Sequence, residues 1–95
     1  MTRSYITAEV AAQIIESAFS PLRCVAEPWD YGERVRFRVF DNSDQPVLTV
    51  EELLKKQFAD ANNFKLAIDS CRASLAGRGI VLDQWILQLP TIMSR

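Results

Sequence analysis

The chain has 95 residues, 48% of them hydrophobic and 24% charged, with 11 basic against 12 acidic side chains, two cysteines and no histidine. One domain is expected, since domains typically run to roughly 100–150 residues and a second core does not fit. Without histidine no side chain titrates near neutrality unless its surroundings shift it strongly, which excludes histidine acid–base catalysis, catalytic triads and histidine-containing metal sites.

Cys24 and Cys71 are too few for a Cys-rich zinc cluster. They read as small buried hydrophobes in a reducing compartment, and a disulfide between them would need their Cα atoms to meet in the fold. A net charge of −1 gives no bulk attraction to nucleic acid or anionic membrane, so any such binding would have to come from local clustering. The stretch Met1 to Glu9 lacks the uninterrupted apolar core of a signal peptide, and no apolar run approaches the roughly 18 residues that span a bilayer. Cytoplasmic residence is the resulting expectation.

In chain order, Thr7 followed by Ala8, Glu9 and Val10 reads as a capped helix start, with Val10, Ile14 and Ala18 beside Ile15 and Phe19 as its apolar stripe. Ser20-Pro21 stops it. From Leu22 the period becomes two, with Leu22, Cys24 and Ala26 on one face and Arg23, Val25 and Glu27 on the other. Pro28 to Gly32 is turn chemistry, and Glu33 to Phe40 then gives the clearest alternation, Val35, Phe37 and Val39 between Arg34, Arg36 and Arg38. An antiparallel hairpin follows. For both apolar sets to face one core, paired residue numbers must sum to an odd value; a four-residue loop, Trp29 to Gly32, would set Glu27 opposite Arg34 and Arg23 opposite Arg38.

Asp41 to Pro46 is a second turn and Val47 to Val50 a short third strand. Thr49 and Glu52 have capping-box spacing for a short helix through Gln57, although the strand could equally run on to Leu54. A firmer helix starts at Asp60 or Asn62, buries Phe64, Ala67, Ile68, Cys71 and Leu75, and ends at Gly77-Arg78-Gly79. Ile80 to Leu89 is apolar with a strand-like section, Trp85, Leu87 and Leu89 alternating with Ile86 and Gln88, closed by Pro90, and a frayed tail follows over 91–95. The order α-β-β-β-(α)-α-β, with no internal repeat or linker, has too few helices to cover both faces of a sheet. It predicts an α+β two-layer sandwich, a mainly antiparallel sheet with helices on one face and the other face open.

The run Ile14-Ile15-Glu16-Ser17-Ala18-Phe19-Ser20-Pro21-Leu22-Arg23-Cys24, then Val35-Arg36-Phe37-Arg38-Val39-Phe40-Asp41 and Leu48-Thr49-Val50, resembles a family of short bacterial proteins described only as a domain of unknown function. The resemblance covers residues 8 to 50 and, more loosely, the later helix; the chain departs from the pattern over Glu51 to Phe58 and at its apolar end. It implies a helix followed by a hairpin and carries no activity, ligand or functional residue with it.

The arginine row is the sharpest candidate feature. Alternate strand residues lie on the order of 6.5–7 Å apart, so Arg34, Arg36 and Arg38 would form a straight cationic line, widened by Arg23 on the neighbouring strand and continued by Phe40. Such a line could grip carboxylates of a protein partner or track phosphates; as a plain solvated face, its repulsion would be relieved by Glu27 and Glu33. Trp29 and Tyr31, between Pro28 and Gly32, suit an anchor role at an interface, unless Trp29 folds back over the hairpin edge. Trp85, among apolar neighbours, reads as core or homodimer contact. Glu51-Glu52 should diverge, and Asp41 with Asp44 reads as a turn capped by its own side chains, which leaves no metal site, cofactor or catalytic set. The sequence therefore predicts a non-enzymatic protein-interaction or regulatory module, with a homodimer among its arrangements. It would use Arg23, Arg34, Arg36, Arg38, Trp29, Tyr31 and Phe40; weak nucleic-acid binding through the same stripe is the alternative.

Overall fold

Thr7 accepts a hydrogen bond from the Val10 N–H at 3.2 Å, and this cap starts α1 (Ala8–Ser17). The computed structural model describes residues 6–87. Beyond α1 the chain forms β1 (Arg23–Trp29), β2 (Arg34–Phe40), β3 (Pro46–Leu54), a one-turn helix α2 (Lys55–Phe58) and α3 (Ala61–Ala76). The three strands make one antiparallel sheet in the order β1-β2-β3, and the helices pack on one of its faces, as an α+β sandwich requires.

The core lies between those layers. The sheet contributes Cys24, Val35, Phe37, Val39 and Leu53, and the helical layer Ile15, Phe19, Phe58, Phe64, Ile68 and Leu75. Phe19 stacks on Phe37 with ring centroids 5.8 Å apart. In α1 the buried set is Ala8, Ala11, Ala12 and Ile15, while Val10 and Ile14 are half-buried. The helix turns its small residues inward, which lets its backbone lie close to the sheet. In α3, Asp60 is the cap, accepting from the Asn62 N–H at 2.9 Å. The helix stops where Gly79 takes φ +87° and the Ile80 N–H returns to the Leu75 carbonyl at 3.1 Å.

The hairpin keeps its expected parity in a different register. Glu27 lies opposite Arg36 and Arg23 opposite Phe40, two positions along from the expected pairs. Trp29 stays in β1 opposite Arg34, so the turn runs from Asp30 to Glu33. Asp30, Tyr31 and Gly32 all take positive φ, at 57°, 56° and 83°, and so reverse the chain one residue later than Pro28 and Trp29 suggest. The β2–β3 turn is the side-chain-capped one expected: the Asp41 carboxylate accepts from the N–H groups of Ser43 and Gln45 at 2.8 and 2.9 Å.

The outer rim of β1 is closed by chemistry. N–H groups alternate in direction along an antiparallel strand, and the Ala26 N–H points away from β2 to the Glu16 carboxylate at 3.0 Å. Pro28, two residues on, has no N–H to offer.

Of the two alternatives for residues 51–54, the strand prevails. The third strand runs to Leu54, with Thr49 paired to Arg38 rather than capping a helix; α2 starts only at Lys55, where Gln57 accepts from the Leu54 N–H at 3.0 Å. Residues 80–87 belong to no helix or strand, and of the strand-like section expected over Trp85 to Leu89, Gln88 and Leu89 lie outside the described residues, as does the tail over 91–95. Ile80, Leu82, Trp85 and Leu87 pack against the core, and Asp83 and Gln84 face solvent. Arg72 holds this segment, donating to the Ala18 carbonyl and, at 2.7 Å, to that of Asp83; the Asp83 N–H donates to Ser20 O at 2.8 Å.

Candidate functional site

The side chains that the sheet turns away from the helices are Arg23, Val25, Glu27 and Trp29 on β1, Arg34, Arg36, Arg38 and Phe40 on β2, and Thr49, Glu51 and Glu52 on β3. Among the described residues no helix covers them. The face is concave: an open depression of about 550 Å³ is lined by Val25, Glu27, Trp29, Arg36, Arg38, Phe40, Thr49, Glu51 and Glu52, with Phe37 and Val50 contributing at its floor.

Glu51 and Glu52 share this depression because of a β-bulge. The pairing shifts between Val35 and Phe37, which leaves Arg36 facing two residues of β3 where a regular ladder would offer one. Glu51 lies on the lined face by ordinary alternation from Thr49 and the bulge adds Glu52, so the two do not diverge as adjacent strand residues would.

The arginine row is consequently no line of free cations. Arg23 pairs with Asp44 at 3.1 Å, Arg34 with Asp30 at 3.0 Å and Glu52 at 2.5 Å, and Arg36 with Glu27 at 2.6 Å. Glu33, expected to relieve the row, instead lies 3.8 Å from Lys55. Arg38 is the exception: it sits between Val25 and Thr49 with no carboxylate within ion-pair distance among the described residues. Val25 beside it is 46% exposed.

The aromatic residues take separate roles. The guanidinium carbons of Arg34 and Arg36 lie 5.5 and 5.4 Å from the Trp29 ring centre, and that of Arg23 lies 4.2 Å from Phe40. Trp29 is folded onto the sheet, and its buried Nε1 has no hydrogen-bond partner. Tyr31, two residues on, is fully exposed at the turn. The two side chains thus sit in different surroundings, one against the sheet and one in solvent.

Both thiols are reduced and lie on the helical side of the sheet. Burial, helped by the nearby Glu16 carboxylate and by Cys71, pushes the Cys24 thiol up to about 12, and burial also raises that of Cys71. Such thiols are poor nucleophiles at neutral pH. Among the described residues no group of three or more Cys, Asp or Glu side chains could hold a metal ion, and no helix is long and apolar enough to cross a membrane.

The sequence placed the row and its aromatic neighbours on one hairpin; it missed Glu51, which alternates with Thr49 in the longer third strand, and Glu52, since nothing in their spacing signals a bulge. No family model matches this chain, and neither the curated proteins nor the solved structures contain a match to it.

Proposed function

We propose that the protein is a non-enzymatic protein-interaction or regulatory module whose contact surface is the open sheet face. The observation that carries this reading is Arg38, a cation without a carboxylate partner among the described residues, set beside the exposed Val25 in a concave face. A guanidinium in that position binds a carboxylate bidentately, and covering Val25 adds hydrophobic gain. The depression itself holds Arg36 and Arg38 against Glu27, Glu51 and Glu52, a balance that disfavours a polyanion and so weakens the nucleic-acid alternative.

Arg38→Ser tests this reading because it removes that cation and leaves the ion pairs of the other arginines in place. With circular dichroism and thermal unfolding unchanged, the variant should lose partners that the parent chain retains on an affinity column. The same set of partners on both columns would defeat the reading.

A further inference from the structure

We propose that the occupant of the open face is a second copy of this chain, docked face to face about a two-fold axis, with Arg38 paired to the partner's Glu51 and Glu51 to the partner's Arg38. The inference rests on the reading of this face as a contact surface and names what fills it. Its basis is the charge left over once the ion pairs within the chain are made. Arg23 is matched by Asp44, Arg34 by Asp30 and Glu52, and Arg36 by Glu27. Among the described residues the face is then left with one cation, Arg38, and one anion, Glu51, both on the rim of the same depression.

One charge of each sign on one surface is self-complementary. In a two-fold contact residue i meets residue j and j meets i, so the axis that brings Arg38 onto the partner's Glu51 creates the second pair without further adjustment. A nucleic acid or an acidic peptide would satisfy Arg38 and be repelled by Glu51; a basic one would do the reverse. Packed sheets lie about 10 Å apart, a gap that an extended arginine and a glutamate bridge together. Glu51 lies on this face by ordinary alternation from Thr49, while the bulge adds Glu52, which is taken up by Arg34. Val25, adjacent to Arg38 and 46% exposed, would be covered by the same contact.

The size of the face sets the strength. Three strands about 4.8 Å apart and roughly seven residues long present only about 300 Å² of projected surface per copy, well below the roughly 800 Å² per partner of a standard interface. The dimer is accordingly weak and concentration-dependent, with dissociation at roughly 10 μM to 1 mM.

Sedimentation equilibrium of the full chain across that range tests the proposal with four samples: the parent, Arg38→Glu, Glu51→Arg, and an equimolar mixture of the two variants. The parent should rise toward twice its monomer mass, and each variant alone should associate at least about tenfold more weakly. The mixture should recover association, because the carboxylate introduced at position 38 of one chain then meets the guanidinium introduced at position 51 of the other, while the unaltered Glu51 and Arg38 pair as before. A parent that stays monomeric throughout overturns the proposal, and so does undiminished association of both variants or a mixture no better than its components. Should either charge reversal fail to fold, Arg38→Gln and Glu51→Gln replace them, each expected to weaken association; unchanged association would again overturn it. A monomeric parent removes the second copy only, while loss of column-bound partners on Arg38→Ser separately decides whether the face is a contact surface.

Discussion

Arg36 closes an ion pair with Glu27, directly across the strand pair, at 2.6 Å, while its guanidinium carbon lies 5.4 Å from the Trp29 ring centre. Both charged side chains are about half exposed, so the pair contributes little to stability. In a double-mutant cycle of Arg36→Ala and Glu27→Ala, followed by urea unfolding, the coupling should be below about 1 kcal/mol and shrink further at high salt. A coupling well above that would mean the pair is more shielded from water than its exposure indicates.

Trp29→Phe should be close to neutral. The indole N–H is buried without a partner, so removing it relieves a desolvation cost, whereas phenylalanine gives a weaker cation–π contact to Arg34 and Arg36. The two effects oppose, and the denaturation midpoint should move by the equivalent of less than about 1 kcal/mol. Trp29→Ala, which also forfeits the packing, should lower it clearly.

Alkaline pH should destabilise the fold through Cys24. Its thiol ionises at about 12 in the folded chain and near 9 once unfolded, so above pH 9 the unfolded state releases a proton that the folded state retains. The contribution is fully present below pH 9 and is lost as pH rises toward 12. Urea midpoints measured from pH 8 to 11 should fall, and Cys24→Ala should flatten that decline. Thiol-reactive dye at pH 8 should label both cysteines slowly until urea is added.

Arg72→Met should release the segment after α3. The guanidinium donates to the carbonyls of Ala18 and Asp83 and lies 6.0 Å from the Trp85 ring centre. Removing it leaves the part-buried Ala18 carbonyl without this donor, a loss of about 1–3 kcal/mol. Amide exchange should accelerate at Asp83 in particular, whose N–H is held by Ser20, and Trp85 emission should shift to the red. Val81 and Ile86, already 85% and 76% exposed, should change little.

The period of each element was legible in the sequence because burial on one side imposes it. Val35, Phe37 and Val39 alternate with arginines since the helices cover only one face, and the Thr7 and Asp60 caps are written in residue type. Register was less legible. It turned on Tyr31 taking φ 56°, a conformation that its residue type does not advertise. That two-residue shift gave Glu27 to Arg36, and the unsignalled bulge turned Glu52 onto the face to meet Arg34, so which arginine lacked a partner could be read only from the folded chain. In the last apolar run the contacts that hold Asp83 are not written in residue type: its N–H donates to the Ser20 carbonyl and its carbonyl accepts from Arg72.

Proline at position 28 and glutamate at position 16 bear on how many copies can gather. A strand offering bare amides along its rim would accept another strand, and that one a third, until the sheet became a fibre. Here the Ala26 amide is occupied by Glu16 and Pro28 supplies none, so that rim offers an incoming strand fewer amides than a regular edge. The face-to-face association proposed above, by contrast, would consume the surface that makes it and end at two. On that proposal two copies would join through the face while Glu16 and Pro28 withhold β1 amides from any further strand.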